Sequence, residues 1–138
     1  MAIALEAELE RDTGELRVHR VVAAVDSGEA VNPDGIRNQI EGGIVQSISW
    51  TTFEAVTFGD ARITSRDWGR YPILRFSHLP QSVEVHLIDR PGEHFLGTGE
   101  AAQGPTAAAV ANALADASGV RVRELPLSPA RLQAVLAL

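Results

Sequence analysis

The feature that most limits how this chain can fold is a change of period between residues 16 and 48. LRVHRVVAAVD (16–26) is rich in valine and reads as a buried β-strand. Ile36, Ile40, Ile44 and Ile48 then recur every four residues, the spacing that puts side chains on one helix face. Between them lies SGEAVNPDG (27–35), where Asn32 suits an N-cap and Pro33 the first helical position. A strand that feeds an amphipathic helix through a short loop commits the chain to helices layered on a sheet. The spacing predicts a helix from Pro33 to about Val56.

The remaining segments fill in that plan. AIALEAEL (2–9) alternates imperfectly, RDTGE makes a turn, and the pair reads as a β-hairpin with the longer strand second. Gly59-Asp60 marks a turn, and ARITSRDWGRYPILRF mixes strand and loop character with a break at Pro72. VEVHLID (83–89) alternates cleanly as a strand, and PGEHFLGTGEAAQG (91–104) is a long glycine-rich loop. Pro105 opens a helix to Ser118 with Gly119 ending it. VRVREL (120–125) reads as a short strand, and Ser128-Pro129 starts a last helix with Leu132, Val135 and Leu136 inward. The expected fold is α/β (α+β), a mixed β-sheet with about three helices packed on it, in a single domain over 1–138. The chain opens inside a strand-like stretch, which fits either a complete small protein or the tail of a longer one.

Composition removes several function classes. With 138 residues, 45% hydrophobic and 22% charged, the chain has enough material for one core. The net charge is −6, and lysine is absent, all 12 basic residues being arginine; nucleic acid, which demands clustered cations, is not an expected partner. No stretch reaches the ~18–20 apolar residues of a membrane span, and MAIALEAELE has no secretory pattern. The expected location is cytoplasmic, with the periplasm as the alternative for an assembled complex. There is no cysteine, hence no disulfide, iron–sulfur or thiolate metal site. His19, His78, His86 and His94 are scattered, so no protein-held metal is expected.

Two constellations stand out. In NQIEGGIVQS (38–47), Gln39, Gly43 and Gln46 follow an i, i+4, i+7 spacing and share one stripe. Gly42-Gly43 costs roughly 1 kcal/mol per glycine inside a helix, which suits a place where a backbone or a flat ligand comes close. Glutamine, both donor and acceptor, can read a neutral polar heterocycle. On local grounds the glycines can equally serve a tight helix–sheet crossing, with the glutamines facing water. The second constellation is Glu100, set between Gly97-Thr98-Gly99 and Ala101-Ala102-Gln103-Gly104. The stretch fits neither the Walker nor the dinucleotide pattern. A carboxylate in a glycine-lined loop can be a positioned general base or simply a surface turn residue.

Taken together, VHRVVAAVDSGEAVNPDGIRNQIEGGIVQSI (18–48), YPILRF (71–76), LPQSVEVHLID (79–89), GTGEAAQGPTAAAVANAL (97–114) and SGVRVRELPL (118–127) resemble, in this order, the C-terminal part of the molybdenum-binding large subunit of the xanthine oxidase / aldehyde oxidoreductase family, in its isoquinoline 1-oxidoreductase-like branch. The resemblance implies that Glu100 is the catalytic base beside molybdenum and that Gln39 hydrogen-bonds the molybdopterin. It implies a lesser contribution from Gly42, Gly43 and Gly99 to the cofactor's surroundings. It implies hydroxylation of an N-heterocycle or aldehyde with water as oxygen source, and a cofactor of the cytosine dinucleotide type. The implied partners are the remainder of the molybdenum subunit and a [2Fe-2S] small subunit. The chain departs from the family at Ala101-Ala102, where proline is usual, at Ser47-Ile48-Ser49-Trp50, and across Ser65–Arg70. The upstream cofactor-holding segments are not in this sequence, so the chain alone is expected to be inactive. The alternative expectation is a non-enzymatic module that keeps the fold and self-associates or binds a partner protein.

Overall fold

The computed structural model describes residues 1–137. Two antiparallel strands, β1 (Ala2–Glu10) and β2 (Glu15–Asp26), form the expected hairpin. β1 turns Ile3, Leu5, Ala7 and Leu9 inward and Ala2, Ala4, Glu6 and Glu8 outward without a break. Its alternation looks imperfect in sequence because alanine occupies both faces. β2 does carry a break: Glu6 pairs with Arg20 and Ala7 with Val18, leaving His19 as the extra residue of a β-bulge. The bulge moves the inward set from Leu16 and Val18 to Val21, Ala23 and Val25, all buried. The His19 carbonyl accepts from the Gln81 N–H (2.8 Å), so the bulge also marks where the third strand begins.

That strand, β3 (Ser82–Ile88), runs parallel to β2, with Arg20 opposite Ser82 and Asp26 opposite Ile88. The sheet is therefore mixed, in the order β1-β2-β3. Between the parallel strands lies α1 (Pro33–Thr52), capped by the Asn32 side chain, which accepts from the Gly35 N–H (2.9 Å). The four-residue stripe faces inward as expected: Ile40, Ile44 and Ile48 are buried and Ile36 packs against them. α1 ends at Thr52, about a turn before Val56. Glu54 folds back there, its carboxylate taken by Ser49 and Tyr71. α2 (Gln103–Ser118) starts two residues before Pro105, which sits in the first turn, where no intrahelical N–H is needed. Gly119, at φ +77°, closes it in the left-handed conformation.

α2 lies over β1 and beside α1, placing Val110 and Leu114 on the same core as Val21 and Ala23. Residues 120–125, expected as a strand, form none. Alternation of Val120 and Val122 is not enough without a ladder partner: the segment pairs with no strand, and Val122 packs against the core instead. The segment instead links α2 to α3 (Pro129–Leu136), where Leu132 is buried, Val135 and Leu136 are half-buried, and Gln133 donates to the Asp12 carbonyl (2.7 Å) in the hairpin turn. The α+β class, mixed sheet and three helices are as the sequence predicts. No helix among the described residues is long and apolar enough to cross a membrane.

Candidate functional site

β2 and β3 are parallel neighbours, so their carboxyl ends open on the same side, the usual location of ligand crevices in such sheets. Two loops leave there, 27–32 toward α1 and 89–102 toward α2. Each is tied to the other. Ser27 accepts through its carbonyl from the Leu96 N–H (2.8 Å), and Gly28 likewise from the Arg90 N–H (3.2 Å). The Arg90 guanidinium pairs with Asp26 (3.0 Å), the Ala30 N–H donates to Asp89 (3.0 Å), and the Gly92 N–H donates to Glu29 (3.1 Å). Gly28 sits at φ +70°, and a Cβ there would lie 2.1 Å from the His94 carbonyl oxygen. Only glycine lets the two loops approach this closely.

The stripe Gln39, Gly43, Gln46 faces the second loop rung by rung. A Cβ on Gly99 would stand 3.7 Å from the Gln39 Nε2, so that amide lies against the backbone next to Glu100. A Cβ on Gly43 would stand 3.2 Å from the Ala102 Cβ, so this buried glycine lets α1 meet the start of α2. One turn on, the Gln103 side chain donates to Gln46 (3.2 Å), while the Ser47 hydroxyl donates to the Gln103 carbonyl (2.7 Å). The structure thus brings Gln39, Gly43 and Gly99 to one seam. Gly42 is exposed, a Cβ there would meet nothing within 4 Å, and the residue lines a different groove.

Glu100 is exposed, and its carboxylate makes no hydrogen bond or ion pair among the described residues. Its carbonyl accepts from the Gln103 N–H (3.2 Å), which joins the loop to the first turn of α2. The Gln39 amide is likewise without a partner among the described residues. An unpaired carboxylate and an unpaired amide next to glycine backbone can accept a proton and read a polar edge, provided that a second surface faces them. The four histidines stand apart, and no group of three metal-ligating side chains occurs among the described residues.

Sequence reasoning missed the larger groove, about 1160 Å³, between one flank of α1 and the segment 73–83. Val45, Leu74, Leu79 and Val83 make its apolar walls, and Glu54 stands in it. The Glu54 carboxylate accepts from the Ser49 hydroxyl (2.5 Å) and the Tyr71 hydroxyl (2.8 Å). The bond from Tyr71, with desolvation and the neighbouring charge, raises the Tyr71 pKa above its ordinary 10.0. The available signal was YPILRFSHLP, an apolar stretch bracketed by prolines.

Residues 1–80 match the family described as molybdopterin cofactor-binding domain. A nicotinate dehydrogenase subunit of Pseudomonas putida is 45% identical over 131 residues, covering 95% of this chain and 11% of that protein. The beta subunit of isoquinoline 1-oxidoreductase from Brevundimonas diminuta is 33% identical over 133 residues, covering 96% of this chain and 17% of its own. Among solved structures, quinoline 2-oxidoreductase from Pseudomonas putida 86 superposes with a TM-score of 0.86 at 28% identity, over 95% of this chain and 18% of that one. The chain therefore spans less than a fifth of the length of each of these relatives.

Proposed function

Because the chain belongs to the molybdopterin cofactor-binding domain family, of the xanthine oxidase / aldehyde oxidoreductase type, we propose that it forms one wall of the active site of a molybdenum hydroxylase. The observation that carries this reading is the approach of the Gln39 Nε2 to Gly99, 3.7 Å from where a Cβ there would stand, which puts an unpaired glutamine near the loop that bears the unpaired carboxylate of Glu100. The residues suit the cofactor: a free amide for a pterin edge, and glycine backbone that lets a bulky group come close. Bound there, molybdopterin would supply the redox chemistry and the electrophilic metal.

This chain's own contribution follows from its atoms. Glu100 takes a proton at a carboxylate oxygen, a role that needs reach and modest basicity. Gln39 orients the cofactor through its amide, and Gly43 holds α1 close enough to Ala102 to keep the glutamine in line with the loop. The crossed loops 27–32 and 89–98 fix the rim so that Gly99 and Glu100 are presented from a rigid base. The substrate class that goes with this reading is an N-heterocycle or an aldehyde, and the cofactor form a cytosine dinucleotide. Its partners are the rest of the molybdenum subunit and a [2Fe-2S] subunit, in the cytoplasm. The domain is the C-terminal portion of the large subunit's cofactor-binding region. A buried cofactor needs contacts from several directions, so activity belongs to the assembly.

Glu100→Gln in the assembled enzyme keeps the size of the side chain and removes the base. The expected outcome is a fall in kcat of about 10²–10⁴-fold with the cofactor still bound. Turnover near that of the wild type would remove Glu100 from the role.

A further inference from the structure

Two anchors hold the stretch that carries Glu100. Upstream, the Leu96 N–H donates to the Ser27 carbonyl (2.8 Å). From there to Gln103 the chain reads Gly97-Thr98-Gly99-Glu100-Ala101-Ala102, with no proline to stiffen it. Its own bonds are local: the Ala101 N–H donates to the Thr98 carbonyl (3.5 Å) and the Gln103 N–H to the Glu100 carbonyl (3.2 Å). Among the described residues no hydrogen bond ties 97–101 directly to the sheet or to α1. Ala102 is buried against Gly43, an apolar contact that sets distance without direction.

Downstream, Gln103 is bonded three ways. Its N–H is the donor to Glu100, its carbonyl accepts from the Ser47 hydroxyl (2.7 Å), and its side-chain amide donates to Gln46 (3.2 Å). Ser47 is fully buried, so its hydroxyl bond is the costlier one to lose, whereas Gln46 is exposed and its bond competes with water. Gln46 and Ser47 stand about two turns beyond Gln39 on the same helix. Whatever fixes Gln103 to α1 therefore also fixes Glu100 relative to Gln39.

We propose that Ser47, Gln46 and Gln103 are positioning residues, which hold the backbone at Glu100 in register with α1 through the three bonds that meet at Gln103. The effect on turnover rests on the reading of Glu100 as the base; the effect on the loop does not.

Backbone ¹⁵N relaxation on the full 138-residue chain reads the loop without any cofactor. Order parameters of Gly99–Ala102 near about 0.85 are expected in the wild type, falling toward about 0.6 in Ser47→Ala. Leu96, which has its own anchor, is expected to stay unchanged. In the assembled enzyme, Ser47→Ala is expected to lower kcat about tenfold with KM and molybdenum content unchanged, because a loosely held base is less often in reach. Gln46→Ala and Gln103→Ala are each expected to lower kcat about threefold, and the double variant no further, since both delete one bond. Gln46→Glu keeps the accepting oxygen and is expected to restore kcat. Gln46 is exposed, so Gln46→Ala carries the same measurements where Ser47→Ala does not fold. Wild-type order parameters at 99–102 in these variants overturn the proposal. Wild-type kcat in them, beside a Glu100→Gln variant that has lost turnover, also overturns it and leaves the base assignment standing. Wild-type turnover in Glu100→Gln removes the base assignment instead, and the order parameters then decide the anchor by themselves.

Discussion

Gly42 and Gly43 are neighbours in the chain and meet opposite surroundings. Gly42 faces open space, whereas a Cβ on Gly43 presses against Ala102 at 3.2 Å. Replacing an exposed helical glycine with alanine removes backbone freedom from the unfolded state and stabilises by about 0.5–1 kcal/mol. Gly42→Ala is therefore expected to raise the stability read from urea denaturation by that amount. Gly43→Ala has the same intrinsic gain but must push the start of α2 outward, an overpacking cost of about 1–3 kcal/mol. It is expected to be less stable than Gly42→Ala, and to displace the amide resonances of Ala102 and Gln103. Equal midpoints for the two variants would show that α1 and α2 are not held together at this point.

At the scale of elements, the Glu54 carboxylate ties the end of α1 to the segment that leads into β3. Tyr71 donates to it while neutral, and its pKa in the folded chain is raised above 10.0. A raised pKa means that the contribution to stability is complete below about pH 10 and is lost as the pH climbs through the folded-state value. Chemical denaturation followed from about pH 8 to 11 is expected to show the wild type losing stability above pH 10 more steeply than Tyr71→Phe. Parallel curves would mean that the hydroxyl plays no part in holding residues 71–80. The surface pairs, such as Arg17 with Glu15 and Arg20 with Glu84, lie in water and contribute little by comparison.

For the whole molecule, the wall that carries Gln39, Gly99 and Glu100 is open, and large apolar side chains such as Phe58, Trp68, Phe76 and Phe95 are exposed, Phe76 at 93%. On the proposed function, the chain purified by itself is expected to contain no molybdenum. Co-purified with the polypeptide that supplies the other walls, it is expected to contain it stoichiometrically; elemental analysis reads both, and metal retained by the isolated chain would show that this wall suffices. The sequence by itself determined the hairpin, the helix of Ile36, Ile40, Ile44 and Ile48, the strand read at 83–89 and observed one residue earlier at 82–88, the helix start at Asn32 and the helix stop at Gly119. These depend on periods and caps that a few neighbouring residues impose. It also carried the family, because that signal lies in the order of several segments at once. Only the tertiary structure decided that His19 is an extra residue in β2, that 120–125 pairs with no strand, and that Gln39 approaches Gly99 while Gly42 looks elsewhere. The loops locked through Gly28, the groove holding Glu54, and the bonds that join Gln46 and Ser47 to Gln103 belong to the same group. Each is a contact between residues far apart in the chain, fixed by where the carboxyl ends of two parallel strands come to lie, and no local pattern encodes that distance.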